Sequence, residues 1–349
     1  MSVTRRTFLR RLALAGGAAF LGTRSVRAVA GAAPWRPAYA QLGQGELAER
    51  VAAAYRHLEA CDLCPRKCGV NRRDGQKGFC QALDRARVYS HTPHFGEELP
   101  LVGRNGSGTI FFSHCNLRCV FCQNWPIAHE GRGRDVSDEG LAGMMLDLQR
   151  RGCHNINVVT PTHVMPNILG GIQIARGQGL KIPICYNTSG YERAEIVELL
   201  DGIVDIYLPD LKFMDPEQSA RYATIGAPDY PERAQASIIE MHRQVGDLLT
   251  DGRGVALRGL MVRHLVMPNR VAGSQAFVEW VAAQLSKDTY VNIMAQYRVE
   301  FRAFEHEQIA RAITSQEFLE AMDWAQAAGL RNLDERSLAQ AEVHRRRLM

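Results

Sequence analysis

Seven of the nine cysteines in this 349-residue chain fall into two groups whose spacing suits metal chemistry. The first is Cys115-x3-Cys119-x2-Cys122, in the text SHCNLRCVFCQNW, directly after the apolar run 109–112. Thiolates are soft ligands that select zinc, Cu(I) or iron–sulfur clusters. A closed structural zinc site takes four ligands. Three thiolates holding an iron–sulfur cubane therefore leave one iron open to a small molecule. The competing readings are a zinc site with His114 as fourth ligand, or three buried thiols. The second group is Cys61-x2-Cys64-x3-Cys68-x11-Cys80. Four thiolates close a coordination shell, so this site reads as structural or electron-relaying, holding an auxiliary 4Fe–4S cluster or zinc. Its neighbours Pro65-Arg66-Lys67 and Gly75-Gln76-Lys77-Gly78 supply positive charge and allow tight turns. Disulfides are the alternative in an exported protein. Cys185 lies inside an apolar run and reads as a small core residue; Cys153 is assigned no role.

A CxxxCxφC motif at the end of a first strand, with Phe121 in the aromatic position, resembles the signature of the radical S-adenosylmethionine (SAM) superfamily. The stretches NINVVTPTH (155–163), IPICYNTSGYE (182–192), VDIYLPDLKF (204–213) and RGLMVRHLVMPN (258–269) extend the resemblance across residues 61–300. Together they look like the branch similar to the pyruvate formate-lyase activating enzyme. The resemblance implies that Cys115, Cys119 and Cys122 hold a 4Fe–4S cluster whose open iron takes the amino and carboxylate groups of SAM. One electron then cleaves SAM to a 5′-deoxyadenosyl radical, which abstracts hydrogen from a substrate. It also implies that Phe121 lies near the adenine.

Other roles carry over residue by residue. Many relatives have Gly-Gly-Glu after the second strand to hold the SAM amino group. Thr160-Pro161-Thr162-His163 stands there, leaving backbone carbonyls and threonine hydroxyls as acceptors and no carboxylate. The activating enzymes' Asp-Thr-Asn-Gly is matched by Asn187-Thr188-Ser189-Gly190, which keeps the threonine and lacks the acid associated with a monovalent cation. Their Asp-x-Lys matches Asp210-Leu211-Lys212, with Lys212 toward the SAM carboxylate and Asp210 toward the ribose or the lysine. Arg263-His264 offers a cation near the sulfonium or the substrate. The implied partners are SAM, a low-potential electron donor such as flavodoxin or ferredoxin, and a substrate, for which the family suggests a glycine Cα of a glycyl-radical-type protein. Two other functions stay open: a non-enzymatic iron–sulfur electron-transfer protein and a zinc-stabilised binding module.

The elements that must position these residues follow from periodicity. Short apolar runs at 109–112, 156–159, 182–186, 203–208, 260–266 and 291–294 alternate with helical patterns at 138–149, 168–176, 193–200, 232–245 and 275–285. Buried parallel strands read as near-continuous apolar runs, and helices between them give right-handed βαβ units. Six repeats predict an α/β fold, a partial (β/α)6 TIM-like barrel. The runs end at His114-Cys115, Thr160, Asn187-Thr188, Asp210, His264 and Gln296, and parallel β/α folds place chemistry at such carboxyl ends. The expected organisation is a signal at 1–30, a linker and helix at 31–60, the Cys-rich segment at 61–100, the barrel at 101–300 and a helical extension at 301–349.

The first thirty residues differ from the rest. Thr4-Arg5-Arg6-Thr7-Phe8-Leu9-Arg10 precedes a short apolar stretch and Ala28-Val29-Ala30. This resembles a twin-arginine export signal with its cleavage site and predicts a periplasmic protein handled by the export machinery. The protein is cytoplasmic if that leader is unused. Six of the 42 basic residues lie in this segment, which holds no acid, so the remaining 36 face 37 acids. A near-neutral body has no electrostatic footprint for nucleic acid.

Overall fold

The computed structural model describes residues 35–223 and 226–349. The twin-arginine signal expected over 1–30 lies outside the described residues. Among the described residues nine strands form the sheet: β1 (Ala86–His94), β2 (Ser107–Phe112), β3 (Arg134–Val136), β4 (Ile156–Val159), β5 (Ile184–Thr188), β6 (Ile206–Pro209), β7 (Leu249–Thr250), β8 (Ala256–Leu265) and β9 (Tyr290–Met294). Their order is β3-β1-β2-β4-β5-β6-β8-β7, with β9 pairing β8. The pairs β2·β4, β4·β5, β5·β6, β6·β8 and β8·β9 are all parallel. These six strands are the six predicted runs, and they build the partial barrel. β1, β3 and β7 add antiparallel edges that the sequence pattern did not signal. β1 alternates between buried and exposed residues and carries Pro93, so no continuous apolar run announces it.

The two faces of the strands build two cores. Ile156, Val158, Ile184, Tyr186, Tyr207, Leu260 and Val262 face the helices and join one large cluster with Leu141, Met145, Leu148, Ile168 and Ile172. Each fully buried aliphatic side chain there contributes about 1.5–3 kcal/mol from desolvation. The alternate residues Cys185, Ile206, Leu208, Met261 and Tyr290 form a separate cluster on the inner face, with Leu101, Leu248 and Ala256. Side chains two residues further along the inner face, such as Asn187 and Arg263, therefore rise toward the carboxyl ends of the strands.

The helices begin where their first backbone N–H groups find partners. Ser137 accepts from Gly140 N–H at the start of Asp138–Arg150. Thr314 and Glu317 form a reciprocal capping box at the start of Ser315–Ala327. The region expected to be a linker is packed from residue 35 onward. Tyr39 is fully buried and donates its hydroxyl to Ile182 O at 2.9 Å. Asp205 accepts from Ala38 N–H at 2.7 Å and Ile184 N–H at 2.9 Å, clasping this segment to the sheet. A Pro/Ala/Gly composition hid this, because one aromatic and one distant carboxylate do the anchoring. Among the described residues no helix is long and apolar enough to cross a membrane.

Candidate active site and the two cysteine groups

The loop after β2 is held from several sides. His114 N–H reaches Ile127 O at 3.0 Å, Val120 N–H reaches Tyr222 O at 3.0 Å, and Arg302 N–H reaches Val120 O at 2.9 Å. His114 and Arg118 adopt left-handed conformations, with φ of 72° and 54°. Leu117 is fully buried, while its N–H points to Cys115 Sγ at 3.3 Å. A second amide, that of Asn124, hydrogen-bonds Cys122. Donors aimed at sulfur stabilise thiolate charge and tune a cluster bound there. Burial raises the Cys119 thiol above its ordinary range, with Lys212 opposing it. Burial also pushes Cys122 up to about 12.

Lys212 lies three residues beyond the end of β6 and interacts electrostatically with Cys119 and Cys122. Its Nζ lies 2.6 Å from Asp210 Oδ2, and each side chain is 18% exposed. Burial disfavours the lysine charge, but Asp210, Cys119 and Cys122 outweigh it and hold the ammonium above its ordinary range. The loop after β5 packs against the same place. Gly190 has φ of 79°, and a Cβ there would stand 2.3 Å from Asp210 O. Only glycine lets the Asn187–Gly190 turn approach the Asp210 backbone this closely. Tyr230 OH lies 2.9 Å from Ser189 O and accepts from Lys212 N–H at 2.9 Å. Ser189 Oγ is buried without a hydrogen-bond partner among the described residues. An orphaned hydroxyl on the turn that Tyr230 ties to the Lys212 backbone fits a polar ligand at the carboxyl ends of the strands.

Residues 109–252 match the model of the Radical SAM superfamily. That segment, 144 of the 349 residues, is similar to a radical SAM domain. The matched segment contains all three loop cysteines and the ends of β2, β4, β5 and β6. The chain is 29% identical over 290 residues to the uncharacterized protein MJ0674 of Methanocaldococcus jannaschii, covering 80% of this chain and 78% of that protein. Among solved structures, methylornithine synthase (PylB) aligns with a TM-score of 0.39 at 11% identity, over 85% of this chain and 79% of that one. HydG, a maturase of FeFe-hydrogenase, aligns with a TM-score of 0.45 at 10% identity, over 84% of this chain and 64% of that one.

Within the matched segment a carboxylate appears where the local motif showed none. Glu192 is 1% exposed and accepts from both Thr162 Oγ1, at 2.6 Å, and Thr188 Oγ1. The two threonine hydroxyls therefore donate to Glu192, and the acid comes from the β5 loop, thirty residues beyond Thr162. Burial raises Glu192 to about 7. Nothing in the local motif around Thr162 could have revealed it. Thr160 has φ of 61°, and its N–H bonds Asn187 O at 2.9 Å, joining the same two loops.

Several expected residues stand elsewhere or are already engaged. His264 faces the helices: it stacks on Phe277 at 4.2 Å, with Nδ1 2.7 Å from Leu211 O and Nε2 2.9 Å from Ser274 Oγ. Burial lowers it to about 4, so it is not the cation expected near the sulfonium. Arg263 does face inward, but its charge is spent. It binds both oxygens of Glu98 at 2.6 Å, Glu97, and Asn187 Oδ1 at 3.4 Å. Phe121 is 6% exposed and packs edge-on to Phe213 at 6.0 Å and beside Tyr297 at 6.2 Å. His163 donates from Nε2 to Ser113 O at 2.7 Å and lines the second cysteine pocket instead of joining Lys212 and Ser189. His114, the candidate fourth zinc ligand, turns its ring toward His163, 6.4 Å between centroids.

Cys61, Cys64, Cys68 and Cys80 line one small pocket, together with Arg66, Arg72, Asn116 and His163. No disulfide joins any of the nine cysteines. Burial raises the Cys64 and Cys80 thiols, while Arg72 opposes the shift at Cys80. Arg72 is 1% exposed and bonds Leu83 O at 3.0 Å and His163 O at 2.7 Å, which fixes a full positive charge in the wall. Sequence reasoning noted basic residues near the cysteines but not that Arg72, Asn116 and His163 share their pocket.

Proposed function

We propose that the protein is a radical SAM enzyme of the activating-enzyme-like type. The observation that carries this reading is the convergence of the Cys115–Cys122 loop with the Asp210–Lys212 pair inside the matched domain. When bound, a 4Fe–4S cluster supplies the electron that cleaves SAM to a 5′-deoxyadenosyl radical, which takes hydrogen from the substrate. Cys115, Cys119 and Cys122 are the residues that would hold it, and the donors at Leu117 and Asn124 support their charge. Lys212 neutralises a carboxylate, held in position by Asp210. Glu192, Thr160 and Ser189 gather polar acceptors and an unpartnered hydroxyl between the β4 and β5 loops, which suits an ammonium group. The four-thiol pocket is a second metal centre. The substrate is a glycyl-radical-type partner protein, and electrons come from a flavodoxin or ferredoxin.

The test is 5′-deoxyadenosine formation by the reconstituted, reduced full chain supplied with SAM. Cys119→Ala abolishes it; undiminished cleavage by that variant overturns the cluster assignment. The paired arginines at 5 and 6 support export of the folded protein by the twin-arginine route to the periplasm. Fractionation of tagged full-length protein against an Arg5/Arg6→Lys variant checks this: equal distribution of the two excludes that route.

A further inference from the structure

We propose that the cavity between Arg118, His129 and the rings of Trp125 and Phe301 binds a small carboxylate carried on a flat apolar ring. The inference goes beyond the function proposed above and does not depend on it.

The cavity has a volume of about 320 Å³, room for a small molecule. Arg118 and Val120 reach it from the Cys115–Cys122 loop, Trp125 and His129 from the residues that follow, and Phe301 from the segment after β9. The bond from Arg302 N–H to Val120 O, at 2.9 Å, holds the two segments together. Asp210, Lys212 and Ser189 are not part of its wall, which sets it apart from the ligand site at the carboxyl ends of the strands.

Two polar atoms point to an occupant. Arg118 Nη1 and His129 Nε2 are both buried without a hydrogen-bond partner among the described residues. Among the same residues no carboxylate pairs with the Arg118 guanidinium. The other charged groups of the wall are engaged: Arg302 binds Glu305 at 2.8 Å, and Glu130 binds Arg132 at 2.8 Å. The cavity thus holds one uncompensated positive charge, which a single carboxylate neutralises and a phosphate dianion exceeds. A partly buried guanidinium is costly alone and gains charge-assisted hydrogen bonds from a carboxylate. His129 Nε2 adds a second polar contact, donating or accepting according to its tautomer.

The rest of the wall is aromatic. Trp125 and Phe301 stack with centroids 5.4 Å apart and planes 16° from parallel, and the His129 ring lies 4.5 Å from that of Phe301. Phe301 has φ of 54°, a conformation rare for a bulky residue, so the surrounding packing fixes its ring. Such a surface favours a flat apolar body, while Arg118 fixes the charged end.

The test is isothermal titration calorimetry of the anaerobically prepared full chain with benzoate, without SAM. One site per chain with a dissociation constant near about 1 mM is expected. Arg118→Gln keeps every cysteine and should weaken binding roughly tenfold or more in a protein that still unfolds cooperatively. His129→Leu carries the test, with the same expected loss, should Arg118→Gln not fold. Lys212→Met should bind benzoate as the wild type does. Acetate, which lacks the ring, and inorganic phosphate should both bind roughly tenfold more weakly or worse. Absence of saturable heat up to about 10 mM benzoate overturns the site. Loss of binding in Lys212→Met but not in Arg118→Gln also overturns it, by moving the carboxylate to the Asp210–Lys212 pair. Acetate or phosphate matching benzoate overturns the ring-bearing class. No readout involves SAM, so the site and the reading as a SAM-cleaving enzyme stand or fall separately.

Discussion

Thr162 Oγ1 donates to Glu192 Oε1 across 2.6 Å, tying the loop after β4 to the loop after β5 through a carboxyl group that is almost wholly buried. Burial lifts that carboxyl from its ordinary value near 4.5 to about 7. A raised folded-state value means the favoured form is protonated. The stability is fully present below pH 4.5 and is lost as pH climbs toward 7. Glu192→Gln should therefore stabilise the protein more at pH 8 than at pH 6, by about 1 kcal/mol. Thermal unfolding of both proteins at the two pH values checks this; an equal gain at both removes Glu192 as the titrating group.

Lys212 is the fixed ammonium beside the cysteine loop, paired to Asp210 at 2.6 Å. Lys212→Met removes a charge-assisted partner worth about 1.5–3 kcal/mol, so SAM affinity should fall roughly 10- to 100-fold. Iron content should stay at the wild-type level. Equilibrium dialysis with labelled SAM measures the first and colorimetric iron the second. Wild-type affinity in this variant takes Lys212 out of the ligand site.

Arg263 sits between Glu97 and Glu98, and Asn292 adds a hydrogen bond to Glu98 Oε1 at 2.8 Å. Burial works against ionisation of Glu98, but Arg263 and Asn292 hold it below its ordinary range. Arg263→Ala leaves a buried carboxylate unpaired and should cost about 3–5 kcal/mol. Adding Glu98→Gln should restore a substantial part of that loss. Chemical denaturation of the single and double variants decides it; additive losses would exclude the coupling.

His264 is held by Leu211 O, Ser274 Oγ and the Phe277 ring, on the helix side of β8. His264→Ala should lower stability by about 2–4 kcal/mol while leaving SAM affinity in the folded protein unchanged. Denaturation and dialysis together test the pair of outcomes. A large affinity loss without destabilisation would return His264 to the ligand site.

The sequence alone determined what local pattern can encode. Six apolar runs fixed six parallel strands, because a strand buried on both faces needs continuous apolar residues. The spacing of Cys115, Cys119 and Cys122 is local, and so is the helical period of Asp138–Arg150 and Tyr230–Val245. Tertiary structure decided the rest. Adjacent residues Arg263 and His264 point to opposite faces of β8, and only closure of the sheet shows which face is the inner one. Glu192 meets Thr162, and Arg66 meets Asn116, because parallel strands bring their carboxyl ends together across long sequence separations. His163 goes to the four-cysteine pocket for the same reason. A motif records which groups are available, whereas the partner each group finds depends on contacts made only once the chain has folded.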